Sequence, residues 1–193
     1  MQFIFVFIMH KRPRIQKPII KDSIFEKVDD NEAFKPNCAS ENARLLYKYN
    51  EFEVELWIDK HYHSRRIHGD DYGKREGIEE QEVQELIVFS FKYLVDIFLR
   101  FPKFKFINFF ENGKIPTKDR VILKQTKEDG TLNVVVEIHF LETSKYEVTV
   151  VTAMQVDDFN VGDGQYVLSI TEENAILRRS VNKDLRELYR IKL

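Results

Sequence analysis

The feature that most constrains the fold is a hydrophobic pattern of helical period between residues 78 and 101. Apolar residues recur there at steps of three and four, as on the buried face of an amphipathic helix; they are Val83, Leu86, Ile87, Phe91, Leu94 and Phe98. Glutamates at 79, 80 and 82 occupy the first turns, where the helix dipole favours negative charge. We therefore predict a helix that begins near Ile78 and ends before Pro102.

The segments that follow this helix have the composition of β-strands. Four of them are rich in β-branched and aromatic residues and are separated by the turn signals ENGK, KEDG and ETSK; they are FKFINFF, DRVILKQT, LNVVVEIHFL and KYEVTVVTAM. Short turns between successive strands favour an antiparallel meander. A fifth strand, QYVLSI, and a helix from about Thr171 to Arg190, capped by Thr171, are predicted to complete the chain.

Upstream of the helix, one strand is clear and the first fifty residues are irregular. FEVELWI, at 52–58, alternates apolar and polar residues with the period of two that is typical of a half-buried strand. We predict an N-terminal extension or subdomain over 1–50 and an α+β domain over 51–193. The expected fold is an antiparallel β-sheet meander packed against a central helix, with the N-terminal extension and a C-terminal helix.

Composition and the first residues predict a folded, cytoplasmic protein with no membrane partner. A chain of 193 residues, 43% of them hydrophobic, is long enough to bury a core. In the opening MQFIFVFIMHKRPR the basic residues follow a short apolar run, so we predict a buried strand and not a secretory signal. The single cysteine, Cys38, can form no internal disulfide, which suits a reducing compartment.

Positive charge is concentrated in two parts of the chain, although the net charge is only −2. Residues 10–20 contain four basic residues and no acid, and residues 92–127 contain nine Lys or Arg against three Asp or Glu. Such clusters are compatible with a face that binds anions and with an ordinary solvated surface.

The stretch 59–83, DKHYHSRRIHGDDYGKREGIEEQEV, contains three of the five histidines and three arginines. His61 is followed by Arg65, then by Arg75 within REGIEEQEV, and far downstream by a VTVVT strand that ends at Thr152. This order resembles the HxxxR…RxGIxxxxV segment and the late hydroxyl-bearing strand of the barnase, EndoU, colicin and RelE-like ribonuclease superfamily. The resemblance extends over roughly residues 54–155, and RIHGDDYGK is an insertion between the two halves of the motif.

The resemblance implies a toxin-type endoribonuclease that cleaves RNA by general acid–base catalysis, without a metal or another cofactor. By resemblance, His61 is the acid or base, Arg65 and Arg75 hold the phosphate, and the Thr152 hydroxyl donates to a phosphate oxygen. Histidine suits proton transfer near neutral pH, and arginine binds phosphate oxygens in pairs. The expected partners are RNA and a protein antitoxin or inhibitor.

Two other functions remain open from the sequence. HYH on an extended segment would place His61 and His63 on one face, and His68 would add a third ligand for a zinc ion. The second is a non-catalytic interaction module, such as an antitoxin-like or phage or host regulatory protein, on the same fold. Convergence of the four predicted residues in an open groove would favour the enzyme, whereas a groove covered by residues 1–40 would favour a module or a restrained enzyme.

Overall fold

The computed structural model describes residues 25–27, 34–49, 53–68, 78–109, 118–127 and 130–193. Within these ranges the chain forms nine strands and two helices. The strands are β1 (Phe25–Lys27), β2 (Ala43–Tyr49), β3 (Val54–Asp59), β4 (Arg120–Lys127), β5 (Gly130–Glu142), β6 (Lys145–Gln155), β7 (Tyr166–Ile170), β8 (Asn174–Val181) and β9 (Asp184–Lys192). The helices are α1 (Lys60–His68) and α2 (Glu80–Arg100).

All nine strands belong to one sheet with the order β1-β2-β3-β6-β5-β4-β7-β8-β9. Its centre is the antiparallel meander of β4, β5 and β6 that the turn signals predict. Two parallel pairs flank this meander, β3 with β6 and β4 with β7. Parallel neighbours cannot be joined by a tight turn, and the connection from β3 to β6 accordingly contains both helices. The α+β class is confirmed, and the sheet is mixed instead of purely antiparallel.

The main core lies between α2 and one face of the sheet, called here the helix face. The predicted apolar stripe of α2, including Val83, Leu86 and Leu94, is buried against it. In β5 the helix face carries Val134, Val136 and Ile138, whereas the alternate residues point to the opposite, far face, because side chains alternate along a strand. These alternate residues are Asn133, Val135, Glu137 and His139.

The predicted bounds of the central helix are confirmed. α2 begins at Glu80 with Glu80 and Glu82 in its first turn, and it ends at Arg100, just before Pro102. The proline ring disfavours helical backbone in the residue before it, which accounts for the end of the helix. Neither α1 nor α2 has the length and apolarity that a membrane-spanning helix requires.

The predicted C-terminal helix from about Thr171 to Arg190 is wrong: this segment forms the antiparallel strands β8 and β9. Asn182 and Lys183, between the paired residues Val181 and Asp184, both have positive φ, of 55° and 71°. Two such residues are the signature of a type I′ hairpin turn, which no helix can contain. Leu, Arg and Glu have high helix propensity, but pairing with β7 overrides it.

Three other predicted segments have different outcomes. FKFINFF is not a regular strand in its described part; Asn108 alone forms a bridge, next to His139 of β5. The opening MQFIFVFI lies outside the described residues. Residues 43–49, inside the predicted extension, form β2 and pair with β3 of the main sheet, while the domain boundary at residue 50 stays a prediction.

We expect Leu94→Ala to reduce the free energy of unfolding by about 3 kcal/mol, because it leaves a cavity between α2 and the sheet. Leu94 is only 1% exposed. Leu99→Ala, in the same helix but 68% exposed, is the matched control and should change the free energy by less than about 0.5 kcal/mol. Urea unfolding followed by circular dichroism measures both; equal losses in the two variants would contradict this packing.

Candidate functional site

The histidine-rich stretch forms a helix where the sequence suggested an extended segment. Asp59, the last residue of β3, accepts the backbone N–H of His61 on its Oδ1 at 2.7 Å, which is the interaction of a helix N-cap. Arg65, Arg66 and His68 occupy the last turn of α1, where the helix dipole favours positive charge. The cap explains why the chain turns from β3 directly into α1.

The described residues that were predicted for the ribonuclease site belong to two elements that contact each other, α1 and β6. His61 is exposed in the first turn of α1, Arg65 is half-buried in the last turn, and Arg75 lies outside the described residues. Thr152 pairs with Val135 beside an irregularity in β6, and therefore lies on the far face of the sheet. No hydrogen bond or ion pair among the described residues joins His61, Arg65 and Thr152, so their roles stay predictions.

The helical geometry of α1 does not match the extended segment on which the three-histidine metal site was predicted. In a helix, residues two positions apart point to nearly opposite sides, so His61 and His63 do not share a face. Across the ranges that the structure describes, no three histidine, cysteine, aspartate or glutamate side chains are grouped as metal ligands. Asp70 and Asp71, in the same stretch, lie outside those ranges.

A different set of side chains meets where α1 approaches the start of α2. Glu80 Oε1 lies 3.2 Å from an Nη atom of Arg66, 3.4 Å from an Nη atom of Arg44 in β2, and 3.7 Å from His63 Nδ1. The four side chains are between 15% and 28% exposed, so solvent and ligands can reach them. We call Arg44, His63, Arg66 and Glu80 the Glu80 cluster.

The Glu80 cluster contains two positive charges and one negative charge, and Glu79 and Glu82 add negative charge close by. Two guanidinium groups surround one carboxylate, and burial together with the charge of Arg44 lowers the pKa of His63 below 6.5, so its imidazole is neutral at pH 7. Tyr62 is buried beside the cluster, and burial raises the pKa of its phenol. The Nε atoms of Arg44 and Arg66 and the Tyr62 hydroxyl are buried without a hydrogen-bond partner among the described residues.

Residues 34–42, called here the cap segment, contact this cluster through Phe34. The ring of Phe34 packs edge-on against the ring of His63, with 5.4 Å between ring centroids. The backbone of Lys35 pairs with that of Ala43, and the Ser40 hydroxyl donates to the carboxylate of Asp59. The cap segment is thus attached to β2 and to the residue that caps α1.

The cap segment also covers a second polar group on the far face of the sheet. Cys38 N donates to Glu147 Oε1 at 3.0 Å, and Asn37 Nδ2 donates to Thr149 Oγ1 at 2.6 Å. Glu147 lies opposite His139, with 3.8 Å between Glu147 Oε1 and His139 Nδ1. Glu137, on the same face, accepts a hydrogen bond from Arg120 Nε at 2.9 Å.

The side chains of Glu137, His139 and Glu147 are buried, and burial shifts the pKa values of Glu147 and His139. It raises the pKa of Glu147 to about 7 and lowers the pKa of His139 to about 4, so both favour the neutral form. Burial also raises the pKa of the Cys38 thiol to about 12, which removes nucleophilic character at neutral pH. The sequence showed only alternating polar residues at 137, 139, 147 and 149, the pattern of a solvated face.

We expect the Glu147 carboxyl to make the free energy of unfolding depend on pH. Comparison of the wild type with Glu147→Gln measures the contribution of this carboxyl. The pKa of Glu147 is about 7 in the folded state and near 4.5 in the unfolded state. Between pH 4.5 and 7 this carboxyl is therefore mostly protonated in the folded protein and mostly ionised in the unfolded chain. Wild-type stability should therefore fall, relative to the variant, by on the order of 3 kcal/mol as pH rises from 4.5 to 7. His139 acts in the opposite direction in both proteins, because its pKa is lowered in the folded state. Urea unfolding at several pH values measures the difference; with exposed Glu142→Gln as control, a pH-independent difference for both variants would contradict the assignment.

Comparisons with known proteins leave the chain without a family assignment. No protein-family model matches the sequence, no curated protein is significantly similar to it, and no solved structure matches its fold.

Proposed function

We propose that this protein is a cytoplasmic, metal-independent endoribonuclease whose chemistry takes place at the Glu80 cluster. The observation that carries the proposal is the approach of two guanidinium groups and one neutral imidazole to a single carboxylate oxygen, at 3.2, 3.4 and 3.7 Å. In this proposal the central role passes from His61 to His63, two positions later in α1. His63 is half-buried within the Glu80 cluster, whereas His61 is exposed to solvent.

In this proposal Glu80 occupies the position that a phosphate oxygen takes in the complex with RNA. Guanidinium groups bind carboxylate and phosphate oxygens through the same planar arrangement of donors. Arg44 and Arg66 are held by different elements, β2 and α1, so they can bind one phosphate from two sides. Displacement of the Glu80 carboxylate would leave both arginines free to stabilise the charge that develops on phosphorus.

The proposed reaction is an internal transfer within the RNA. Neutral His63 accepts the proton of a ribose 2′-hydroxyl while the 2′-oxygen attacks the adjacent phosphorus. The bond from phosphorus to the 5′-oxygen breaks, and the leaving oxygen takes a proton from water. The products are a 2′,3′-cyclic phosphate and a 5′-hydroxyl, so atoms and charge balance without a metal ion.

A second function is favoured by one specific contact, the packing of Phe34 on His63. An interaction module on this fold would have such a cap segment over the Glu80 cluster. An enzyme that stays inactive until a partner binds would have one too. In the restrained enzyme the cap segment blocks RNA, and a protein antitoxin or inhibitor would stabilise the closed form. In the module the cluster has no substrate and the covered surface contributes only to binding.

We expect the wild-type protein to cleave a labelled RNA pool in EDTA, leaving 2′,3′-cyclic phosphate ends. His63→Ala should reduce the rate by 10²–10⁴-fold, roughly the contribution of one general base. His68→Ala, on the exposed last turn of the same helix, is the matched control and should keep the wild-type rate. Gel electrophoresis with end-group analysis measures both, and cleavage that requires a divalent metal would contradict the proposal.

Phe34→Ala separates the restrained enzyme from the interaction module. Removing the ring opens access to His63, so in a restrained enzyme the rate of RNA cleavage should rise by about tenfold or more. In the module neither the wild-type protein nor the variant cleaves RNA. The assay is the one above, with circular dichroism to show that Phe34→Ala keeps its fold; the absence of cleavage by both folded proteins between pH 5 and 9 would reject the ribonuclease.

A further inference from the structure

A groove of about 380 Å³ opens at the end of the sheet where β4 and β7 begin and β8 ends. Three cationic side chains line it, Lys118 and Arg120 at the start of β4 and Arg179 near the end of β8. The loop before β7 forms the opposite wall, where Gly164 has a positive φ of 82° and donates its N–H to the carbonyl of Ser180. The volume is within the range of small-molecule sites in proteins.

The charges of two of these cations are not neutralised by a carboxylate within the described residues. Lys118 Nζ donates to the backbone carbonyl of Ala39, at 2.7 Å. Arg179 Nε donates to the carbonyl of Gly164, at 3.2 Å, and its guanidinium lies 5.1 Å from the centre of the Tyr166 ring. Carbonyl and ring contacts fix the positions of the two side chains but leave their positive charge available to a ligand.

The third cation, Arg120, lines the groove and also contacts Glu137, a buried residue of the far face. Its Nε donates to Glu137 Oε1 at 2.9 Å, and its side chain is 41% exposed while that of Glu137 is 2% exposed. The other carboxylate oxygen of Glu137 is buried without a partner among the described residues. Glu137 therefore holds Arg120 in place from below, so that the exposed part of Arg120 is presented to the groove.

The groove also contains two aspartates, which restrict the kind of anion that fits. Asp163 Oδ1 accepts the backbone N–H of Asn182 at 2.7 Å, and the backbone N–H of Asp119 is bonded to Asn108. Carboxylates repel a bare anion but accept hydrogen bonds from hydroxyl groups. A ligand with both a negative group and hydroxyl donors complements this wall better than a simple anion does.

We propose that this groove is a binding site for the phosphate group of a hydroxylated ligand, such as a sugar phosphate or a nucleotide. Lys118 and Arg179 bind the phosphate oxygens, and the aspartates accept hydrogen bonds from the hydroxyl groups. The site is separate from the Glu80 cluster and does not depend on the ribonuclease proposal. The two sites lie on different parts of the sheet: Arg44 is in β2, Lys118 lies just before β4, and Arg179 is in β8.

The test is a titration of the full-length, ¹⁵N-labelled protein with ribose 5-phosphate, inorganic phosphate and ribose, followed by amide shifts in NMR spectra. Saturable shifts of the Gly164 and Asn182 amides with ribose 5-phosphate are expected, at a Kd of about 1 mM or tighter. Inorganic phosphate should produce the same shifts more weakly, and ribose none. Equal affinity for inorganic phosphate would overturn the proposed role of the ligand hydroxyl groups and of the aspartates.

Arg179→Gln should weaken binding at these amides about tenfold, the effect of one lost charge-assisted contact. Arg190→Gln, on the neighbouring strand and outside the groove, is the matched control and should bind as the wild type does. Lys118→Gln provides a second groove variant in case Arg179→Gln fails to fold. Three further outcomes would overturn the proposal. The groove variants and Arg190→Gln could weaken binding equally, or the shifts could be confined to the amides of Arg44 and Glu80. The third outcome is the absence of a saturable shift with either phosphate probe.

Discussion

The parallel pairing of β3 with β6 is the interaction on which the rest of the structure depends. It brings Ile58 opposite Val150, so the chain leaves β3 at the edge of the completed meander and turns at once into α1. From there α2 can return across the helix face and bury its apolar stripe, since the hydrophobic gain is proportional to the area removed from water. The same pairing places β2 outside β3 and positions Arg44 beside the first turn of α2.

The sheet has chemically different faces, and both contain buried polar groups near the cap segment. On the far face, both nitrogens of His139, one oxygen of Glu137 and the Ser180 hydroxyl are buried without hydrogen-bond partners among the described residues. Each such group costs about 1–3 kcal/mol relative to a paired one, which is a large amount against the small net stability of a domain. A fold that retains several of them has a polar interior that apolar packing alone does not explain.

The two proposed sites differ in how they hold their cations. In the Glu80 cluster a carboxylate of the chain itself satisfies the arginines, so a substrate must compete with Glu80. In the groove, neutral carbonyls hold Lys118 and Arg179, so a ligand meets positive charge without displacing an acid. The cap segment is in contact with both regions, through Phe34 at His63 and through the carbonyl of Ala39 at Lys118. Movement of this short segment would change both surfaces together.

The sequence by itself determined the central helix and the meander, because their hydrophobic periods are local and extend over many residues. It also contained one local signal for the β8–β9 hairpin, because Asn182 tolerates a positive φ, but helix-forming residue types obscured it. The tertiary structure alone decided which polar residues meet. Glu80 and Arg44 are 36 positions apart, and Cys38 and Glu147 are 109 apart, so only the strand order brings them together. A local interaction decides how the two imidazoles are placed: the Asp59 cap begins a helix, and the helical period leaves His61 exposed and His63 half-buried.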